Sequence, residues 1–269
     1  MRSLLVSGSK PMNTQGLKND WEALAESDAF GAILTDPSRM DGKWQASEFM
    51  ATGHAEMEIV MRHLQGIGLM PSFEGAALDF GCGVGRVTQS LATRFASCIG
   101  LDISQEMIKR ADAFNRHEHC IYRVHADTVL PFANGTFSFI YSNIVLQHIP
   151  RRLSTRYLRE FVRVLMPRGV LVFGVQDSFA APDISSQLTR LRQILRIRSR
   201  VQALLGTGHQ MQMHCVPERV VRRALSPAIV ADVQLTNTAA KDFNGKLVYL
   251  PQAPRSGYVG KQYCVVKEH

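Results

Sequence analysis

The sequence predicts an α/β fold in which a mostly parallel sheet carries helices on both faces. Three observations predict it. Short apolar runs alternate with amphipathic stretches from about residue 75, a glycine-rich turn follows the first run, and the chain ends on two strand-like segments with no helix between them. A parallel neighbour is reached only by a crossover, and a helix packed on the sheet is the usual crossover.

Residues 1–18 read as a polar leader. A helical region follows, with apolar positions at Trp21, Leu24, Ala25 and Phe30, then a loop at Thr35-Asp36-Pro37-Ser38. A second helix is predicted from Ser47 to Leu64, where Phe49, Met50, Met57, Val60, Met61 and Leu64 recur near the helical period. Gly66, Gly68 and Pro71 then break the chain. Residues 1–70 are therefore assigned to a leader and helical lid, and residues 71–269 to the main domain.

In that domain the predicted strands are Ala76 to Phe80, Ser97 to Leu101, Ile121 to Val124, Phe137 to Tyr141 and Val170 to Phe173. Helical stretches fall near 85–95, 104–116 and 152–165. Ile229 to Thr236 and Gln262 to Lys267 read as an antiparallel pair closing one edge. Residues 178–217 read as an inserted helical cap: Leu188, Leu191, Ile194, Leu195, Val201, Leu204 and Leu205 mark one face of its helix. An insertion there would sit over the carboxyl ends of the strands, where open α/β sheets bind ligands.

Composition narrows the function classes. Of 269 residues, 45% are hydrophobic and 20% charged, as in ordinary globular domains. No apolar run approaches the ~20 residues that span a bilayer. The start has no secretory pattern, so a cytoplasmic protein with no membrane partner is expected. The five cysteines are scattered and form no CxxC pair, which argues against a disulfide framework and a zinc site. His209 and His214 lack a third partner at ligand spacing, so no metal is predicted.

The net charge of +8 admits an acidic small substrate, a nucleic acid or simple solubility. Arg152, Arg156, Arg159 and Arg163 share one helix face, and further arginines fall between 190 and 200. Aromatics interleaved with the charges would favour nucleic acid, and 184–200 has none. A small molecule is the partner kept, and the charge permits but does not require it to be acidic; nucleic acid is disfavoured and the oligomeric state stays open.

The site begins at Leu78-Asp79-Phe80-Gly81-Cys82-Gly83-Val84-Gly85-Arg86, a buried strand running through three alternate glycines into a helix. Glycine lets the backbone turn sharply and approach a ligand with no side chain between them. The amides opening the helix suit an anionic group, while Asp79 suits a cationic amine and would repel a pyrophosphate. The spacing also departs from the G-x-G-x-x-G of nicotinamide-binding loops, which disfavours a dehydrogenase. Asp102 ends the second strand, where a carboxylate can accept bonds from both hydroxyls of a ribose.

These motifs resemble the class I S-adenosylmethionine-dependent methyltransferases, within the broad subgroup of quinone-biosynthesis and natural-product methyltransferases. The similarity continues through Ala126-Asp127, Leu130-Pro131-Phe132, Phe137, Ser142-Asn143, Leu146-Gln147-His148-Ile149 and Leu165-Met166-Pro167-Arg168-Gly169, covering about residues 75–177. It implies a Rossmann-like, seven-stranded sheet with an antiparallel last strand, and S-adenosyl-L-methionine as cofactor, leaving S-adenosyl-L-homocysteine as product.

The resemblance implies that Asp79, Gly81, Cys82, Gly83, Gly85 and Arg86 hold the methionine portion and that Asp102 takes the ribose. Ile103 and Met107 enclose the adenine, Asp127 meets its amino group beside Ala126 and Thr128, and Asn143 and Ile144 lie next to the sulfonium. Phe49 and Gly53 are assigned to a lid over the cofactor. Gln147, Met211 and His214 are assigned to the acceptor side. His148 is the candidate base, because an imidazole titrates near neutrality. The expected reaction is methylation of a hydroxyl or amine of a small molecule. The competing readings are an RNA methyltransferase and a cofactor-binding protein without catalysis.

Overall fold

A computed structural model describes residues 14–180, 211–240 and 243–268. The helix expected at 183–205 lies outside the described residues. Helix α1 (Gln15–Ile33) and helix α2 (Ala46–Gly66) precede strand β1 (Ala76–Phe80). Then come α3 (Arg86–Ala92), β2 (Ser97–Asp102), α4 (Gln105–Phe114), β3 (Cys120–Val124) and β4 (Phe137–Ser142). A 3-10 turn (Leu146–His148) leads into α5 (Arg151–Val164) and the long β5 (Leu165–Ala180). Helix α6 (Glu218–Leu225), β6 (Ile229–Thr236), β7 (Tyr249–Leu250) and β8 (Gly257–Val266) complete the order.

The strands form one sheet in the order β3-β2-β1-β4-β5-β8-β6-β7. It has eight strands rather than the seven expected, because a two-residue β7 adds to the outer edge of β6. Strands β1 to β5 pair in parallel. Strand β8 runs antiparallel between β5 and β6. Its ladder with β5 continues to Ala180↔Gly257. Residues 178–180 therefore belong to the sheet and not to a cap.

Alternation along the strands sorts the core. Leu78 and Phe80 of β1 join Leu153, Leu158 and Phe161 of α5 on one face, with Val221 and Leu225 of α6. Ala77 and Cys82 face the other way, onto Met57, Val60 and Leu64 of α2 and Val87 and Leu91 of α3. A third cluster holds the lid, where Phe30 stacks on Phe49 with ring centroids 4.4 Å apart and Trp44 meets Phe49 edge-on.

One departure concerns the amino-terminal region. Helix α1 already begins at Gln15, so the last residues of the expected leader are ordered as helix. It is tied down at its start, where the Thr14 hydroxyl donates to the Ala126 carbonyl over 2.7 Å. The Glu22 carboxylate caps α4, accepting from the Gln105 and Glu106 amides at 2.8 and 3.0 Å. A negative charge at a helix start also meets the positive end of its dipole.

Gly53 is a packing glycine and not a cofactor contact. A Cβ there would collide with the backbone carbonyl of Arg86, so the bare position lets α2 cross directly over α3. Phe49 is fully buried in the lid cluster, packed behind residues that line the cavity and not lining it itself. Gly53→Ala gains helix propensity but forces the two backbones apart. It is expected to lose about 1–3 kcal/mol in urea unfolding.

Candidate active site

The pocket opens at the carboxyl ends of β1, β2 and β4. Phe80, Gly81, Gly83, Asp102, Ile103, Met107, Ile144 and Val145 line it from the sheet side. Leu17, Trp21, Ala32 and Ile33 of α1 roof it, and Tyr157 and Ile149 close the far wall. Its cavity volume is about 80 Å³, and it opens to solvent at its mouth.

The turn after β1 is built by geometry that only glycine tolerates. Gly81, Gly83 and Gly85 have φ of 76°, 53° and 86°. A Cβ on Gly81 would strike Val145, and one on Gly83 would strike Ile33, so both bare backbones face the cavity. Gly85 faces elsewhere: a Cβ there would meet the Tyr122 hydroxyl. Ile144 also has positive φ, 54°, which is costly for a β-branched residue and turns its side chain to the cavity wall.

Asp102 holds the second half of the site. Its two oxygens accept from the Gly83 and Ser104 amides, each at 2.9 Å. Ser104 caps α4 by accepting from the Met107 amide, which leaves Asp102 free of that duty. A carboxylate offers about four lone-pair positions. Two are used, and the remainder can receive a diol. Burial raises its pKa while the amides of Ser104 and Gly83 oppose the rise.

Several residues assigned to the cofactor lie elsewhere. Asp79 is buried beneath the turn and accepts from the Thr88 hydroxyl at 2.6 Å. Burial pushes its carboxyl up to about 7. The Cys82 side chain points into the core against Gly100. Arg86 is turned to α2, where it pairs with Glu56 at 2.7 Å. Asp127 is exposed, and its carboxylate accepts from the Thr128 and Val129 amides within its own turn. Ala126 and Thr128 do not line the cavity either; the Ala126 carbonyl is held by Thr14. Asn143 is buried, with its amide donating to Glu56 at 2.8 Å.

Two groups escaped the sequence reading. His125, at the end of β3, lines the cavity in place of Asp127, and its buried Nε2 has no hydrogen-bond partner. Burial lowers its pKa, so the ring is neutral at pH 7. Glu56 is completely buried and accepts from Arg86, Asn143 and, at 2.6 Å, the Tyr141 hydroxyl. The signal for Glu56 was a carboxylate on the apolar face of α2, beside Gly53, Met57 and Val60.

The acceptor side is polar. His148 is buried, and its Nδ1 lies 3.1 Å from the Gln212 carbonyl, to which it must donate. Its Nε2 then accepts from the Gln147 amide at 3.1 Å. Burial lowers its pKa to about 4, so the ring is neutral with both nitrogens engaged. Its edge packs on Trp21, centroids 5.4 Å apart, so the indole stands between the imidazole and the cavity. Gln147 also accepts from Gln176 at 3.3 Å, and its carbonyl accepts from the His214 amide at 2.7 Å. Met211 is half-buried beside this segment and does not line the cavity.

Among the described residues, one group of metal-ligand type converges away from the pocket: His63, Asp232 and Cys264. There His63 and Asp232 already pair at 2.7 Å. No helix among the described residues is long and apolar enough to cross a membrane.

Residues 78–173 match the family described as a methyltransferase domain. Over these residues the chain carries a methyltransferase domain. The chain is similar to the malonyl-[acyl-carrier protein] O-methyltransferase of Methylovorus sp., 26% identical over 225 residues, covering 80% of this chain and 72% of that protein. It is also similar to the biotin biosynthesis bifunctional protein BioHC of Cellvibrio japonicus, 40% identical over 93 residues. That match covers 34% of this chain and only 18% of the longer protein. The chain shares its fold with magnesium protoporphyrin IX methyltransferase from Synechocystis, solved with bound SAH. The TM-score is 0.56 at 16% identity, over 95% of this chain and all of that one.

The residues present fit S-adenosylmethionine. The Gly81 and Gly83 backbones leave room for an amino-acid tail, Asp102 keeps acceptor capacity for a diol, and Ile103 and Met107 offer apolar walls to a ring. The unpartnered His125 Nε2 awaits a polar atom at the same end.

Two outcomes follow from the buried charges. Glu56→Gln leaves Arg86 as an uncompensated buried cation and should cost about 3–5 kcal/mol in denaturant unfolding. Asp79, whose folded pKa lies above its unfolded value, contributes stability that is complete at low pH and lost as pH rises through about 7. Asp79→Asn keeps the acceptor for Thr88 and removes that loss. Its unfolding free energy relative to wild type should therefore climb between pH 4 and pH 8, and a flat difference would contradict the buried-acid assignment.

Proposed function

We propose that this methyltransferase transfers its methyl group to a carboxylate oxygen of a small acidic acceptor. The observation that carries the reading is the pairing of a bare glycine turn and Asp102 at one end of the cavity with a mouth where, among the described residues, no side chain is a competent base. Bound S-adenosylmethionine supplies an electrophilic methyl group on a positively charged sulfur. The chain's part is to align an acceptor lone pair with that methyl group and to keep water away, and alignment alone supplies much of such a rate.

A hydroxyl or amine acceptor must lose a proton, which calls for a base within hydrogen-bond reach. His148 has both nitrogens committed to Gln147 and Gln212, and burial makes its ring a weak base. The Tyr157 hydroxyl is pushed up to about 12 by burial and stays protonated. His125 lies at the end of β3, beside the segment that the resemblance gives to adenine. A carboxylate is already ionised near neutrality and needs no base. In this reading Gln147 and His148 position the acceptor mouth through Trp21. The relative named as a malonyl O-methyltransferase supports an oxygen acceptor of this class. Helix α1 roofs the cavity, which favours a small molecule over a polymer backbone.

Calorimetry should show wild type binding S-adenosylhomocysteine. Asp102→Ala should lose at least about tenfold in affinity, the equivalent of about 1.4 kcal/mol, with the fold retained. With a panel of small dicarboxylic acids and matched alcohols, mass spectrometry should find methyl esters and no ethers. Turnover should be independent of pH from 6 to 9. Ether products, or a rate that rises with an ionisation in that range, would restore a base-assisted hydroxyl acceptor.

A further inference from the structure

Helices α5 and α6 converge on a groove that the methyl-transfer chemistry does not use. Arg151, Arg152 and Arg159 of α5 and Arg223 of α6 rim it, and Val220 and Ala224 form an apolar floor. The four arginines are exposed. Each helix carries a single carboxylate, and both are occupied: Glu160 binds Arg163, and Glu218 binds Arg222 and Lys261. Among the described residues, no acid pairs with the four rim arginines. Like charges gathered around one concavity repel each other, so the folded chain gains nothing internally from this arrangement.

The location adds a second constraint. Arg151 lies three positions after His148, at the start of α5. Helix α6 starts where the Glu218 amide donates to Asp177 at 2.8 Å, and the Val216 amide donates to Gln176 at the carboxyl end of β5. Both helix starts therefore sit at the sheet edge where the cofactor cavity opens. Arg152 and Arg159 are two turns apart on α5, roughly 10 Å along its axis at 1.5 Å per residue.

We infer that this groove docks an acidic amphipathic helix of a partner protein, and so holds that partner beside the acceptor mouth. The apolar floor matches the apolar ridge of such a helix, and the arginine rim matches carboxylates flanking that ridge. Nucleic acid fits less well, because the described residues of the groove wall include no aromatic side chain on which a base could stack. The inference rests on the proposed acidic acceptor only in naming the site that the partner serves; binding in the groove is measured apart from catalysis.

The test uses a fluorescein-labelled helical peptide with leucines on one face and glutamates at i, i+4 flanking them. Anisotropy at low salt should show saturable binding to the full chain that weakens between 50 and 200 mM NaCl. R159E/R223E should bind at least about tenfold more weakly, while S-adenosylhomocysteine affinity by calorimetry and ester formation on a free small acid stay at wild-type levels. R159Q/R223Q serves should the reversal fail to fold, and it should lose at least threefold. Peptide affinity within twofold of wild type in the folded variant overturns the inference. So does a duplex RNA of equal charge that binds tenfold more tightly than the peptide through the same arginines, or inorganic phosphate at millimolar concentration that abolishes peptide binding. Loss of cofactor binding in wild type would instead sink the methyl-transfer reading and leave the docking result standing.

Discussion

The site depends on one buried negative charge. Glu56 has no access to water, and an isolated carboxylate there would cost several kcal/mol. Arg86 supplies the countercharge, while the Tyr141 hydroxyl and the Asn143 amide take its other oxygen. Those partners come from the first turn of α3 and from both sides of the end of β4. Satisfying Glu56 therefore fixes the lid helix α2 against the two elements that frame the cofactor turn. Gly53, one turn earlier on α2, makes the approach close enough for the network to form. The arrangement also explains why Arg86 and Asn143, placed by motif within the cofactor site, turn their side chains behind it.

A second consequence concerns the division of labour around the glycine turn. Asp79 is the penultimate residue of β1 and Asp102 ends the neighbouring parallel β2, yet they have opposite roles. Asp79 faces inward, bonds Thr88 and is pushed by burial toward the neutral form. Asp102 faces the cavity; burial raises its pKa as well, but the Ser104 and Gly83 amides oppose the rise. A single backbone thus carries a structural acid below the turn and a binding acid above it, separated by the alternation of the strands.

Helix α1 turns this open sheet edge into an enclosed cavity. Thr14 pins its start to the end of β3, and Glu22 caps α4 on the far side of the slot. Trp21 then stands between the cavity and the polar cluster of Gln147 and His148. The acceptor mouth is consequently an indole backed by a neutral, fully engaged imidazole. In the proposed reading, such a mouth orients a carboxylate acceptor without taking a proton from it.

By itself the sequence determined the layers, the parallel strands and the cofactor turn. These follow from local rules: period-two and period-3.6 patterning, glycines where φ must be positive, and a carboxylate at the end of a short apolar run. The short β7 carried too little pattern to be read, and the β5–β8 ladder ran past the apolar run because pairing with a neighbour, not hydropathy, sets its length. Which side chains of the motif reach the ligand was likewise illegible. Arg86, Asn143 and Phe49 are claimed by partners distant in sequence, and His125 lines the cavity while Asp127 closes its own turn. Tertiary structure alone decided those orientations, because a buried polar group goes where its bonds can be completed, and the groups that complete them come from elements far apart along the chain.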